Sequence, residues 1–185
     1  MYILIIAILA LAVAGVVLYN RLIRSRNRVD TAWSDIDVQL QRRHDLIPNL
    51  VKAVDQYASY ERATLEAVTE LRAQAKRVTD VEQRGRAEAE LGAGLQRLMA
   101  LAENYPDLKA NENFLKLQSE LVNTEDYLQF ARRYFNGSVR DYNTMTETVP
   151  SSLVASLFSF SPWSFFQKSS DDVAHVPLVK LGSVE

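Results

Sequence analysis

The sequence predicts an all-α protein in which an N-terminal transmembrane helix is followed by a long antiparallel helical bundle. Three observations support this fold class. Residues 1–19 contain no charged side chain. Glycine and proline are scarce, at 6 and 5 residues of 185. Beyond the apolar start, hydrophobic residues recur at steps of three and four, which places them on one face of a helix.

The apolar segment at residues 1–20 is predicted to be a membrane anchor. About 19 helical residues at about 1.5 Å each nearly match the hydrocarbon core of a bilayer. A cleaved signal peptide is disfavoured because no basic residue precedes the apolar run. Arg21, Arg24, Arg26 and Arg28 follow it. By the positive-inside rule they predict an outside N-terminus and a cytoplasmic bundle, with an extracytoplasmic bundle as the alternative.

The bundle is predicted to occupy residues 21–148. Its first helix keeps a heptad pattern to about Tyr57, with a kink expected at Pro48, which lacks a backbone N–H. A second helix is predicted over Glu61–Val78. No strong helix breaker separates the two, so four soluble helices are favoured, and three if the first two are continuous.

The later helices have clearer boundaries. Thr79 and Asp80 provide turn or cap chemistry, and a loop is expected around Val81–Arg86. The third helix ends at the proline of YPDLKAN. The fourth and longest helix is predicted over Glu112–Glu147, with Asn111 as its N-cap.

One basic residue falls on the apolar face of the first helix. Arg43 needs a partner there, because an unpaired buried guanidinium is costly. If the fourth helix runs antiparallel to the first, Arg43 lies opposite Glu125, and Trp33 packs against Phe135. The same register predicts two more contacts between opposite charges, which join Asp35 and Asp37 to Arg132 and Arg133.

No pattern of reactive residues accompanies these charges. The chain has no cysteine, and neither His44 nor His175 follows a glutamate by three residues, as the di-metal sites of helical bundles require. Nucleophile motifs and glycine-rich phosphate loops are also missing. The sequence therefore predicts no catalytic residue, no metal, no cofactor and no enzyme. With 21 basic and 23 acidic residues, it predicts no nucleic-acid partner.

The end of the chain differs in composition. Residues 149–167 are predicted to form an aromatic-rich tail, and residues 168–185 a polar, flexible C-terminus. The aromatic side chains either lie at the membrane interface or cover an apolar groove of the bundle. They are Phe158, Phe160, Trp163, Phe165 and Phe166.

Three blocks of sequence resemble the LemA family of bacterial membrane-associated proteins. They are YNRLIRSRNRVDTAWSDIDVQLQRRHDLIPNLV, YPDLKANENFLKLQSEL and TEDYLQFARRYFNGSVRDYN, the last followed by VPSSLVASLFSF. The resemblance implies an anchored antiparallel bundle in the bacterial inner membrane. It also implies a relation to magnetosome-membrane proteins, which suggests a role in membrane organisation. It implies no reaction, ligand or catalytic residue.

The predicted function is that of a single-pass, membrane-anchored helical scaffold or interaction protein. Such a protein would organise membrane partners or assemble as a homo-oligomer, and the sequence does not identify a protein partner. The alternative is a sensor that holds a small ligand between helices, near the small residues Thr124, Ala131 and Ser138.

Overall fold

The computed structural model describes residues 1–166, and the regular structure in this part of the chain is entirely helical. The predicted fold class is confirmed, since an apolar N-terminal helix leads into a helical bundle. The predicted flexible C-terminus lies outside the described residues. The helices are α1 (Tyr2–Asp55), α2 (Arg62–Arg77), α3 (Val81–Ala102), α4 (Pro106–Lys109), α5 (Glu112–Glu147) and α6 (Ser151–Leu157).

Helix α1 runs without interruption from the apolar segment into the bundle. Its 54 residues correspond to a length of about 80 Å at about 1.5 Å per residue. An 18-residue window near its start has a mean hydropathy of 2.8, and none of that window is buried. By length and composition this helix can cross a membrane. The bundle is therefore joined to the apolar segment by continuous helix.

The first two soluble helices are separate. The chain leaves α1 at Asp55 and begins α2 at Arg62, and Ala58 in the connection is fully buried. The bundle thus contains four long helices, namely the part of α1 beyond the apolar segment, α2, α3 and α5. The favoured of the two predicted arrangements is the one observed.

Side-chain caps set the starts of α3 and α5. Asp80 Oδ1 accepts a hydrogen bond from the Gln83 N–H at 2.9 Å, so α3 begins directly after the turn. The predicted loop around Val81–Arg86 is therefore wrong, because these residues form the first turns of α3. Asn111 caps α5 through a 3.1 Å bond from the Phe114 N–H, and α5 has the predicted bounds.

Two hydrophobic clusters lie along the antiparallel pair of α1 and α5. The membrane-distal cluster joins these helices to the α2–α3 hairpin through residues such as Leu50, Val68 and Leu98. The membrane-proximal cluster joins them to the C-terminal segment, whose Phe166 is buried with Phe135. The hairpin and the C-terminal segment therefore contribute to different parts of the core.

The aromatic-rich tail is partly helical. Helix α6 ends where the Phe160 N–H bonds the Ala155 carbonyl at 2.9 Å and the Ser159 N–H bonds the Ser156 carbonyl at 3.4 Å. These are the two bonds of a Schellman motif. Ser159 has a φ of 57°, the left-handed conformation that this motif requires, and the chain then runs back along α5.

Candidate functional site

A cluster of ionisable side chains is buried where α1, α3 and α5 meet. Arg43 and His44 of α1 are 2% and 1% exposed, and Glu88 of α3 is 0% exposed. Glu125 of α5 borders the cluster and is 33% exposed. Charges are costly to bury unless they are paired and hydrogen-bonded. The contacts among these groups therefore determine whether the cluster stabilises the fold.

Both oxygens of the Glu88 carboxylate have partners. Arg43 Nη1 donates to Glu88 Oε2 at 3.0 Å and to the Glu88 backbone carbonyl at 3.3 Å. His44 Nε2 lies 2.7 Å from Glu88 Oε1. Side chains of α1 therefore bind both carboxylate oxygens, and the arrangement joins α1 to α3.

The structure places Arg43 beside Glu125, the pair expected from the sequence. Arg43 Nε lies 2.7 Å from Glu125 Oε1, but the N–H does not point at the oxygen and neither atom has a hydrogen bond. The contact is an ion pair without a hydrogen bond. Gly92 of α3 leaves room for this side chain, since a Cβ there would lie 3.1 Å from Arg43 Nη2.

The proline of α1 explains a second contact at this level. Pro48 has no N–H, so the carbonyl of His44 loses its helical hydrogen bond. Arg72 of α2 replaces the missing donor, with its Nε 2.7 Å from the His44 oxygen. The Pro48 position thus creates an acceptor that fixes α2 against α1.

Arg132 of α5 supplies a further cation. Burial lowers the pKa of Arg132, and the nearby Arg43 lowers it further, while the carboxylates of Glu125 and Glu88 act in the opposite direction. Its guanidinium lies over the ring of Phe166, 5.1 Å from the centroid. Two arginines and two glutamates therefore share this region.

Two expected ion pairs are replaced by a different one. Within residues 1–166, neither Asp35 nor Asp37 pairs with Arg132 or Arg133. Asp37 Oδ1 instead accepts a hydrogen bond from Arg84 Nη2 at 2.6 Å. The expectation considered α1 and α5 alone, whereas the α2–α3 hairpin brings Arg84 to this side of α1.

Trp33 is the centre of an aromatic group beside the ion cluster. Its ring centroid lies 5.4 Å from that of Phe135, its expected packing partner. Phe166 lies 5.9 Å away, and the Arg84 guanidinium is 5.5 Å from the indole. Trp33 therefore contacts α5, α3 and the C-terminal segment.

Two asparagines of α5 hold the C-terminal segment by its backbone. Asn143 exchanges two hydrogen bonds with the N–H and carbonyl of Trp163, both at 2.9 Å. Asn136 does the same with Phe166, both at 3.0 Å. Seven helical residues rise about 10.5 Å, close to the roughly 10 Å covered by three extended residues. The asparagine spacing therefore matches the segment.

The aromatic residues of the tail divide into two groups. Phe166 is 1% exposed, whereas Phe158 and Phe165 are 55% and 43% exposed. The Phe158 and Phe160 rings lie 4.8 and 5.8 Å from the ring of Tyr19. The end of the segment thus packs on the bundle, while Phe158 is exposed next to the end of the apolar helix.

The α1–α5 pair has another side that no other part of residues 1–166 covers, and this side carries exposed aromatic side chains. A groove there is lined by Val38 of α1 and by Tyr127, Phe130 and Tyr134 of α5. These four side chains are between 54% and 63% exposed. Arg133 covers part of Phe130, with its guanidinium 4.7 Å from the ring centroid. We call these four residues the aromatic face.

No metal-binding arrangement is found in the described part of the chain. Among residues 1–166 there is no group of three or more histidine, aspartate and glutamate side chains that could hold a metal ion. His175 lies beyond these residues. The expectation that the protein is not an enzyme stays a prediction.

Comparison with known proteins identifies the family. The LemA family matches residues 32–181, which include the ion cluster, the asparagine pairs and the aromatic face. The chain belongs to the LemA family. It is a membrane-associated helical protein, and the part of the chain that the structure describes has one candidate transmembrane helix.

Individual relatives are similar at lower identity. Protein LemA of Metamycoplasma hominis is 26% identical over 155 residues, which cover 81% of this chain and 69% of that protein. Magnetosome protein MamQ of Magnetospirillum gryphiswaldense is 25% identical over 176 residues, covering 81% and 65%. Magnetosome protein MamQ 2 of Paramagnetospirillum magneticum is 23% identical over 197 residues, covering 91% and 71%. The chain spans about two thirds of the length of these relatives.

The buried cluster was only partly accessible to sequence reasoning. Arg43 and Glu125 follow from the spacing of α1 and α5. Glu88 was missed, although a signal existed: it precedes Leu91 and Leu95 by three and seven residues, so it lies on the apolar face of α3. The asparagine pairs carry a weaker signal, the heptad spacing of Asn136 and Asn143.

Proposed function

We propose that the protein is a non-catalytic, single-pass membrane scaffold that associates with a second copy of itself through the aromatic face. The bundle lies on the cytoplasmic side of a bacterial inner membrane, as the arginines after the anchor favour. The observation that carries the proposal is the exposure of three aromatic rings and Val38 in one groove. Contiguous exposed apolar side chains of this kind mark interaction sites.

The membrane anchor restricts how two copies can meet. Both apolar helices must enter the same bilayer in the same direction, so a two-fold axis has to run along the membrane normal. When the two uncovered sides face each other about this axis, α1 of one copy lies over α5 of the other. The result is a bundle in which neighbouring helices are antiparallel, the arrangement that already joins α1 to α5 within one chain.

The charges beside the aromatic face are complementary between the two copies in this arrangement. The Arg43–Glu125 and Trp33–Phe135 contacts fix which residues of α1 and α5 have equal heights. By this register, two opposite-charge combinations meet between copies when α1 lies over α5. Arg42 meets Asp126 and Asp35 meets Arg133, and both of these pairs lie beside the aromatic face.

The mass of the full chain in detergent tests the proposal. We expect a dimer that dissociates when Phe130→Ser and Tyr134→Ser are combined, because the variant removes two rings from the face. Tyr60→Ser with Leu115→Ser is the control, since both side chains are exposed but lie elsewhere. A wild-type chain that stays monomeric at every concentration would refute self-association.

The alternative of a ligand sensor has less support. Thr124 and Ser138 are 1% and 4% exposed, so these small side chains lie within the packed contact of α5. Their size allows α1 to approach closely, and this is the simpler explanation of the small residues that suggested a ligand.

A further inference from the structure

The membrane end of the bundle contains a second groove, distinct from the aromatic face. It is lined by Arg21, Arg24 and Arg28 of α1, together with Ser25 and, from α5, Asp141. Leu18, within the apolar segment, forms its lower edge. Three guanidinium groups against one carboxylate give the groove a net positive charge.

The arginines of this groove are available for a ligand. Arg21, Arg24 and Arg28 are exposed, and within residues 1–166 none of them forms an ion pair. Arg24 Nε donates to the Asn20 carbonyl at 3.2 Å, which leaves its other nitrogens free to donate. The site therefore has unused donors of the kind that bind phosphate oxygens.

The positions of the arginines along α1 indicate that the ligand is a lipid headgroup. Arg21 and Arg24 lie about 3 and 7.5 Å beyond Tyr19 along α1, at about 1.5 Å per residue. The headgroup layer of a bilayer is about 5–7.5 Å thick on each side of the hydrocarbon core. The backbone positions of both arginines therefore lie within this layer, so their side chains can reach the lipid phosphates. Arg28 lies about 13.5 Å beyond Tyr19, above that layer.

Exposed apolar side chains of the C-terminal segment lie near the level of Tyr19. Helix α6 buries Ser151 and Ala155 but exposes Leu153 and Leu157, at 69% and 77%. Phe158 packs against Tyr19 with 4.8 Å between ring centroids, so this exposed group lies near the boundary of the hydrocarbon core. Within the apolar segment, Leu18 lines the groove itself and is placed to contact an acyl chain.

We infer that the groove between α1 and the α5–α6 connection binds the headgroup of an anionic phospholipid. Arg21 and Arg24 hold the phosphate, and Leu18 contacts an acyl chain. The inference goes beyond the proposed function and does not depend on self-association.

Lipid retention by the full chain in detergent, measured by native mass spectrometry, tests the site. We expect phosphatidylglycerol to bind the wild-type chain at least about tenfold more tightly than phosphatidylcholine, because each juxtamembrane arginine favours an anionic lipid. Arg21→Gln with Arg24→Gln should bring the two lipids within about twofold of each other. Arg62→Gln with Arg97→Gln removes the same charge from exposed distal positions and should keep the preference.

A competition experiment distinguishes a site for a lipid from a site for free phosphate. Excess inorganic phosphate should not displace phosphatidylglycerol, since it lacks acyl chains; displacement would show a site for soluble phosphate and overturn the inference. The absence of a wild-type preference for phosphatidylglycerol would also overturn it, whatever the variants do. So would a preference that survives in the Arg21→Gln, Arg24→Gln chain.

Discussion

Arg43 is the residue on which the buried cluster depends most. Replacing it by methionine keeps much of its volume but leaves the fully buried Glu88 carboxylate without its cation. Removing one partner of a buried pair costs about 3–5 kcal/mol. We therefore expect Arg43→Met to lower the free energy of unfolding by about that amount, measured by urea denaturation of the full chain in mild detergent.

The neighbouring arginine provides the control for this substitution. Arg42 is exposed, so Arg42→Met should change the free energy of unfolding by no more than about 0.5 kcal/mol. Adding Glu88→Gln to Arg43→Met should recover part of the loss, because the unpaired charge is removed. If Arg43→Met were as stable as Arg42→Met, the pairing with Glu88 would not stabilise the fold.

The bond from Arg72 to the His44 carbonyl gives a second prediction at this scale. Arg72→Met should cost about 1–3 kcal/mol, because it leaves the acceptor freed by Pro48 without a donor. In a Pro48→Ala background the backbone N–H of residue 48 can bond that carbonyl, so the same substitution should cost less. A double-mutant cycle by urea denaturation measures the difference; equal costs in both backgrounds would contradict the explanation.

The residues of the cluster show which contacts could be predicted from the sequence and which could not. Arg43 could be recognised because a guanidinium on an apolar helix face requires a partner, and the antiparallel register named Glu125. Asp37 was assigned to the wrong cation because its actual partner, Arg84, depends on how the α2–α3 hairpin docks. The heptad spacing of two paired helices sets their register. The docking of a hairpin instead depends on contacts between segments that are distant in sequence.

At the scale of elements, the asparagine pairs determine where the C-terminal segment lies. Asn136→Ala with Asn143→Ala removes four hydrogen bonds to the backbone of Trp163 and Phe166. Each such bond contributes about 1 kcal/mol, so local opening of the segment should become at least about tenfold more frequent. Limited proteolysis after the aromatic residues of the segment measures this opening as a cleavage rate.

A substitution on the same helix controls for nonspecific effects. Asn123 is exposed, and Asn123→Ala should leave the cleavage rate unchanged. A double variant that is cut no faster than the wild-type chain would show that aromatic packing alone holds the segment.

The helices themselves differ in how well the sequence defines them. The bounds of α5 were predictable because Asn111 and Pro150 lie at its two ends and a heptad pattern joins them. The start of α3 was less well defined, since a loop was expected around Val81–Arg86, whereas the Asp80 cap lets the helix begin at Val81. Helix α6 shows no sustained apolar period, and its short turns depend on contacts with α1 and α5.

For the whole molecule, the proposed association depends both on the apolar segment and on the side of α1–α5 that residues 1–166 leave uncovered. One continuous helix connects the apolar segment to the aromatic face, so the face has a fixed height above the membrane. Copies in one bilayer therefore present their faces at the same level, which favours association between identical surfaces. The sequence predicted the anchor and the bundle. It could not show which side of the bundle is uncovered, because that depends on where the hairpin and the C-terminal segment pack.

Disulfide crosslinking in native membranes tests the central claim of self-association through this face most directly. The chain has no cysteine, so introduced thiols give unambiguous products. Val38 of α1 and Phe130 of α5 should meet between copies, because α1 lies over α5 in the same register. We expect coexpressed Val38→Cys and Phe130→Cys chains to form a disulfide-linked pair. Val122 is exposed on α5 about 12 Å away along the axis, beyond the reach of a disulfide. Val38→Cys with Val122→Cys should therefore remain unlinked. Absence of the first product, or equal yields of the two, would contradict the proposed association.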